Sequence, residues 1–317
     1  MKLLIRSERP ADYSAIAGLN YEAFVHWRPT GYRAEPVLVD LLRHHELFDP
    51  ELSLVAESDG RVVGHALFTP WEAVVLGTRQ RGMTLAPVCV APAQQRQGIG
   101  SALLVRGHEI AQHKGIAFSL LCGHPDYYPR FGYQPGMFSL SGCRVTLPAK
   151  EEAKGLCERP VRAADLAWVT AAWDRQHRGD TLALYPGESI GQWFSHASSF
   201  RSSVFCRGEQ IIGYAHYRPG SPVEVRELLA APGHGGVILS LLAPEQAQFA
   251  IAQEEGAVRR LLGSRAMIVD ERDAFDALMI KPLDPHNEVL AGYCAAVASG
   301  HMAPGILAFP PTFDLDE

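Results

Sequence analysis

The stretch Met83–Leu104, MTLAPVCVAPAQQRQGIGSALL, constrains the fold of this chain more than any other, because an apolar strand, a glycine-bearing turn and a helix start follow one another without slack. Val88-Cys89-Val90 reads as strand, Pro92 stops it, Gln95-Arg96-Gln97-Gly98-Ile99-Gly100 turns the backbone, and Ser101 to His113 continues as a helix. Such a junction points a fan of backbone N–H groups and the positive end of a helix dipole at one spot, which favours an anion. Nucleotide loops do not fit. No Lys follows either glycine, as a Walker-type loop requires, and Leu103 stands where a dinucleotide fingerprint needs its third glycine.

The flanking sequence supplies a frame for this junction. Leu3 to Arg6 reads as a strand, Pro10-Ala11-Asp12 opens a helix to about His26, and a second helix spans about Pro36 to Glu46 after a Pro/Gly-containing loop. Leu52 to Glu57 and Arg61 to Leu67 are expected as a hairpin around Ser58-Asp59-Gly60, with Trp71 to Leu76 continuing the meander. Pro87 is anomalous, since a proline in a central strand removes a ladder N–H; a bulge there would splay this strand from the next. Ile116 to Leu121 is expected parallel to the opening strand across a right-handed helical crossover, whose Gly107 requires close packing to be tolerated.

Gln95-x-x-Gly98-x-Gly100 directly after a Val-x-Val strand resembles the pyrophosphate motif of the GNAT superfamily of N-acetyltransferases. A second likeness lies in Tyr127-Tyr128-Pro129-Arg130-Phe131-Gly132-Tyr133, where Tyr128 stands four residues before a Gly-aromatic pair, as a tyrosine often does in that family. The resemblance covers roughly residues 1 to 142. It implies an α+β (mixed α/β) fold with a central, mostly antiparallel twisted sheet, splayed where acetyl-CoA binds. It also implies that Gln95, Arg96, Gln97, Gly98, Ile99, Gly100 and Ser101 surround the pyrophosphate, that main-chain groups of Val88 and Val90 pair with the pantetheine amides as a missing strand would, and that a backbone N–H at or beside Cys89 or Val90 takes the oxyanion. The implied reaction is direct attack of an amine on the thioester in a ternary complex, with Tyr128 as the acid that protonates the departing thiolate.

The base stays open. Many family members carry a Glu shortly before the strand's final Val, where this chain has Ala86 and Pro87; Glu22, His65, Glu72 or a water chain could serve. Cys89 and Cys122 lack an identifiable partner His and read as buried thiols. The alternative function is a catalytically inactive acetyl-CoA-sensing or scaffold protein. The acceptor, a small-molecule or peptide amine, is not legible.

With 317 residues the chain is long enough for two domains. From about Arg159 the pattern restarts: Arg162-Ala163-Ala164-Asp165 echoes Arg9-Pro10-Ala11-Asp12, Ile211 to Tyr217 echoes Val62 to Phe68, and Leu228 to Pro232 echoes Val88 to Pro92. We therefore expect an acetyl-CoA-binding domain over 1–150 and a degenerate GNAT-like domain without coenzyme A over 159–317. Pro310-Pro311 and the acidic end read as a tail. A formal charge of −6 and the absence of basic clusters argue against a nucleic-acid partner. Six scattered cysteines without a C-x-x-C pair suggest reduced thiols, no metal site and a cytoplasmic protein. No apolar run suits a signal peptide or membrane span, and a homo-oligomer is compatible with the composition.

Overall fold

The computed structural model describes residues 3–27 and 34–314. In chain order the elements are β1 (Leu3–Ser7), α1 (Tyr13–Phe24), α2 (Ala34–Arg43), β2 (Ser53–Ser58), β3 (Arg61–Val75), β4 (Thr78–Val90), α3 (Ile99–His113), β5 (Phe118–Cys122), β6 (Phe138–Ser139), β7 (Cys143–Thr146) and β8 (Leu156–Pro160). They continue with α4 (Leu166–His177), β9 (Leu182–Leu184), β10 (Arg201–Arg207), β11 (Gln210–Arg218), β12 (Glu224–Ala230), α5 (Gly235–Leu242), β13 (Gln248–Ile251), α6 (Glu255–Leu262), β14 (Met267–Asp270), β15 (Leu278–Pro282), α7 (Glu288–Ala298) and β16 (Gly305–Ala308). The Pro/Gly-containing loop before α2 and the last acidic residues of the expected tail fall outside the described residues.

Two sheets form. The first runs β15-β5-β4-β3-β9-β16-β6, with β2 on β3 and β1 on β2; the second runs β14-β7-β13-β12-β11-β10-β8. In the first sheet β1 through β4 are antiparallel neighbours, and β5 is parallel to β4, as the crossover through α3 demands. Alternation along the strands separates two cores. Leu54, Ala66, Phe68 and Met83 face Leu103 and Leu104 of α3, while Val55, Leu67 and Trp71 face Ile16 of α1 and Leu38 and Leu42 of α2. Gly107 is required by this packing: a Cβ there would lie 2.1 Å from the Phe68 ring.

Two expectations are corrected. Trp71 to Leu76 is not a separate strand, because β3 runs unbroken to Val75 and the chain turns at Leu76-Gly77, both at positive φ. Strands are also exchanged across the expected division at 150/159: β7 joins the second sheet, while β9, β15 and β16 return to the first. The return has a physical cause. Leu278-Met279-Ile280 is apolar on both faces and pairs with β5, covering an edge that would otherwise expose a row of backbone donors and acceptors. The Pro310-Pro311 segment is buried rather than a loose tail, with Phe313 packed on Trp71 at 5.4 Å between ring centroids.

The echo between the halves extends to atomic detail. Asp12 takes two hydrogen bonds from Arg6 (2.7 and 3.0 Å) and one from the Arg9 backbone N–H (2.8 Å). Asp165 takes two from Arg159 (both 2.7 Å) and one from the Arg162 N–H (2.8 Å). The arginine hydrogen bonds, against burial, hold both carboxyls below the usual aspartate range. A lowered folded-state pKa stabilises the fold above the unfolded value, ~3.9, and the contribution is lost as pH falls through the folded value. Asp165→Asn is therefore expected to lower stability by about 2–3 kcal/mol at neutral pH. Urea unfolding from pH 7 to 3 should show that deficit closing only below about pH 4.

Candidate active site

The parting of β4 from β5 organises the site. The parallel ladder pairs Gly82 with Phe118, Met83 with Ser119 and Thr84 with Leu120, and goes no further, although β4 continues to Val90 and β5 to Cys122. At this point β4 bulges: Ala66 pairs with Val88 and Phe68 with Leu85, so Ala86-Pro87 stands opposite Leu67 alone. From Leu85 to Val90, β4 is held by β3 on one side only. Its other edge faces the gap and has no strand partner among the described residues, and Val88 and Val90 lie half-buried on the α3 side.

The chain then enters the turn. The Gln95 side chain donates to the Val90 carbonyl at 3.1 Å, tying turn to strand. Arg96 (φ 62°) and Gly98 (φ 82°) both adopt left-handed backbone; the glycine was foreseeable, but a non-glycine residue in that region costs about 1 kcal/mol and carries no sequence signal. The first N–H bonded back into α3 is that of Ala102, to the Gly98 carbonyl at 3.0 Å, so the N–H groups of Ile99, Gly100 and Ser101 lie ahead of the helix ladder. Gln95 to Gly98 is exposed, and no atom lies within 4 Å of a Cβ built on Gly98. An open cradle of donors at the positive end of a 15-residue helix, next to an unpaired strand edge, suits a phosphate-bearing chain with amide groups along it.

Tyr128 opens the turn of helix after β5 and is 9% exposed. Its ring occupies the space beside Gly123, where a Cβ would approach it to 2.4 Å, and it packs edge-on against Tyr127 and Tyr133. Burial, helped by Tyr127 and Cys122, pushes the phenol well above its ordinary value, so it is protonated at neutral pH. The Tyr127 hydroxyl lies 3.1 Å from a Cβ built on Gly100, a neighbour that sequence reading missed although the Tyr127-Tyr128 doublet offered the signal. Tyr133 is locked by Ser119 (2.7 Å) and His108 (3.0 Å).

The base candidates fare poorly. Glu22 is exposed on α1. Glu72 lies opposite Arg81 at the far end of β3, away from the gap. His65 is 0% exposed, 3.3 Å from both Asn20 and Ser53, and burial, with a contribution from Arg43, pushes it down to about 3. It does face Cys89 across the ladder, so the thiol has a histidine neighbour that the sequence did not disclose. Cys89 nevertheless donates to Asn20 at 3.3 Å, and burial first, then Glu35, raises its pKa, which makes it an inert thiol. Glu35, in the first turn of α2, escaped the sequence reading because an acidic residue at a helix start is ordinary.

The corresponding place in the second sheet is filled. β12 and β13 pair only at Glu224–Ala250 and Val225–Ile251, and beyond that the buried Gln253 side chain accepts from the Leu228 N–H at 3.2 Å. At the start of α5 the Glu151 carboxylate lies against Gly236, 2.3 Å from where a Cβ would be. His177 sits between Asp180 (2.7 Å) and Glu227 (2.8 Å); burial pulls the imidazole down, but the carboxylates outweigh it and hold His177 at about 10. A concavity of about 440 Å³ elsewhere on this sheet is bordered by Arg144, Arg226, Glu224 and Glu271 and shares no residue with the gap or turn. Its arginines are already paired with Glu271 and Glu224.

Comparison with known proteins agrees with this geometry. An acetyltransferase (GNAT) domain family matches residues 5–136. The uncharacterized N-acetyltransferase YjhQ of Escherichia coli K12 is 37% identical over 113 residues, 35% of this chain and 61% of the relative. The uncharacterized N-acetyltransferase YhbS of the same strain is 32% identical over 133 residues, 42% of this chain and 74% of the relative. In fold, the GCN5-related N-acetyltransferase from Kribbella flavida superposes with a TM-score of 0.62 over 89% of this chain and 71% of that chain, at 19% identity. The chain belongs to the GNAT acetyltransferase family, a family of acyltransferases. Among the described residues no helix is long and apolar enough to cross a membrane.

Proposed function

We propose that this protein transfers an acetyl group from acetyl-CoA to an amine by direct attack in a ternary complex. The observation that carries the reading is the β4–β5 gap opening onto the Gln95–Ser101 turn. In this reading the N–H groups of Arg96 to Ser101 take the pyrophosphate, and the outward-facing backbone groups of Val88 and Val90 hydrogen-bond the pantetheine amides. The amine lone pair forms the new N–C bond as the C–S bond breaks. A backbone N–H of the free β4 edge stabilises charge on the carbonyl oxygen, and Tyr128 gives its proton to the leaving sulfur. Tyr128 is buried beside the gap, which suits a group that must stay protonated until a thiolate forms.

Mixing the protein with acetyl-CoA and a panel of amines, and following free thiol, tests the reading. Binding without thiol release from any acceptor would instead make it an acetyl-CoA-sensing protein.

The second half is, in this reading, a degenerate GNAT-like unit of a tandem protein. The matched arginine–aspartate locks support the duplication, and Glu151 and Gln253 stand where pyrophosphate and pantetheine would lie. Calorimetry should accordingly give one acetyl-CoA per chain; a second equivalent of comparable affinity would overturn the degenerate assignment.

A further inference from the structure

The face of the first sheet opposite α3 carries buried polar groups that the reaction so far does not use. Thr69 pairs across the ladder with Thr84, the last β4 residue held by β5, so it lies at the point where the gap opens. It is 0% exposed, and its hydroxyl has no hydrogen-bond partner among the described residues. The Thr84 hydroxyl beside it is already engaged by the Trp71 indole N–H at 3.0 Å.

Trp71 follows Thr69 by two positions and therefore shares its face. His45, just after α2, has its ring 4.0 Å from Trp71 and is 4% exposed. Burial pushes His45 down to about 4, so it is neutral at pH 7. Its Nδ1 accepts the Leu47 N–H at 3.2 Å, which places the proton on Nε2, and that N–H has no acceptor among the described residues. Two buried donors without acceptors, on one apolar wall at the mouth of a gap, destabilise the fold unless a ligand uses them. A third group lies on the same side of the sheet: Glu35, 7% exposed, shares the buried stripe of α2 with Leu38, Val39 and Leu42, which pack in the cluster that holds Leu67 and Trp71.

We propose, resting on the acetyltransferase reading, that the acceptor is a small primary amine bearing a nearby carbonyl or carboxylate oxygen, with Thr69 and His45 donating to that oxygen and Glu35 receiving the ammonium. A cofactor threaded through the gap from the α3 side presents its thioester to this opposite face. The ammonium gives one proton to Glu35, and its nitrogen forms the bond to the acyl carbon. The C–S electron pair leaves on sulfur and is protonated by Tyr128. The second nitrogen proton restores Tyr128 through solvent, and Glu35 releases its own, so the sum is one amide, one thiol and one proton. The oxygen distinguishes this acceptor class from simple alkylamines.

Matched amines test it: leucinamide against 3-methylbutylamine, and phenylalaninamide against 2-phenylethylamine, with thiol release as the readout. The wild-type protein should favour the carbonyl-bearing member of each pair at least tenfold in kcat/KM. Thr69→Val and His45→Phe should each narrow that preference roughly tenfold, mainly through KM, with acetyl-CoA affinity unchanged and the melting temperature equal or higher. Thr69→Ser should retain the preference, and Glu35→Gln should lower kcat for both members alike. Equal rates within the wild-type pairs, full preference in both variants, or no transfer to any of the four amines by a protein that binds acetyl-CoA would overturn the assignment. Failure of the wild-type protein to bind acetyl-CoA would overturn the acetyltransferase reading itself.

Discussion

Gly98→Glu is expected to abolish acetyl-CoA binding, with at least a hundredfold loss of affinity by calorimetry. Gly98 holds φ at 82°, just ahead of the free N–H groups of α3, and open space surrounds its Cβ position. The new side chain would fit sterically. The loss would come from a carboxylate placed at the mouth of an anion site and from a left-handed backbone that glycine tolerates best. Two orders of magnitude correspond to about 2.7 kcal/mol, within reach of one like-charge contact in a partly dehydrated cradle. Gly98→Asn separates the causes, because asparagine tolerates positive φ and carries no charge; it should keep most of the affinity. Unchanged affinity in Gly98→Glu would remove the turn from the cofactor site.

Tyr128→Phe is expected to lower kcat about a hundredfold, the usual contribution of one positioned acid, and to leave acetyl-CoA affinity nearly unchanged. The ring is retained against Gly123, Tyr127 and Tyr133, so packing is preserved and only the proton is lost. Tyr127→Phe is the informative neighbour. Its hydroxyl lies over Gly100 at the helix start, so its removal should act on affinity more than on kcat. If Tyr128→Phe turns over at the wild-type rate, the leaving thiolate takes its proton from another donor.

Much of the first sheet was legible because its signals are local. Alternation, Gly60 and the proline stops marked β2, the start of β3 and α3 within a few residues, and Pro87 announced a break in the ladder that is present as a bulge opposite Leu67. β3 was cut short because Ala73, Val74 and Val75 pair with β4 and β9 at once, and an apolar run buried on both sides loses the period that marks a strand. The strand exchange was invisible for a related reason. Nothing near Leu278 says that its partner lies at Phe118–Cys122, a choice made by an open sheet edge far away in sequence.

The candidate site divides along the same line. By itself the sequence determined the turn: Gln95, Gly98 and Gly100 after a proline-stopped strand specify a fan of N–H groups, because turn chemistry and helix ends depend on neighbouring residues alone. Tertiary structure alone decided what surrounds that turn. It buried His65 until it could not act as a base, put Tyr127 over the helix start, set His45 against Trp71, and left Glu35 and Thr69 buried on the same side of the sheet. Desolvation and proximity across a sheet are set by the whole packed chain, so neither can be read from the spacing of residues along it.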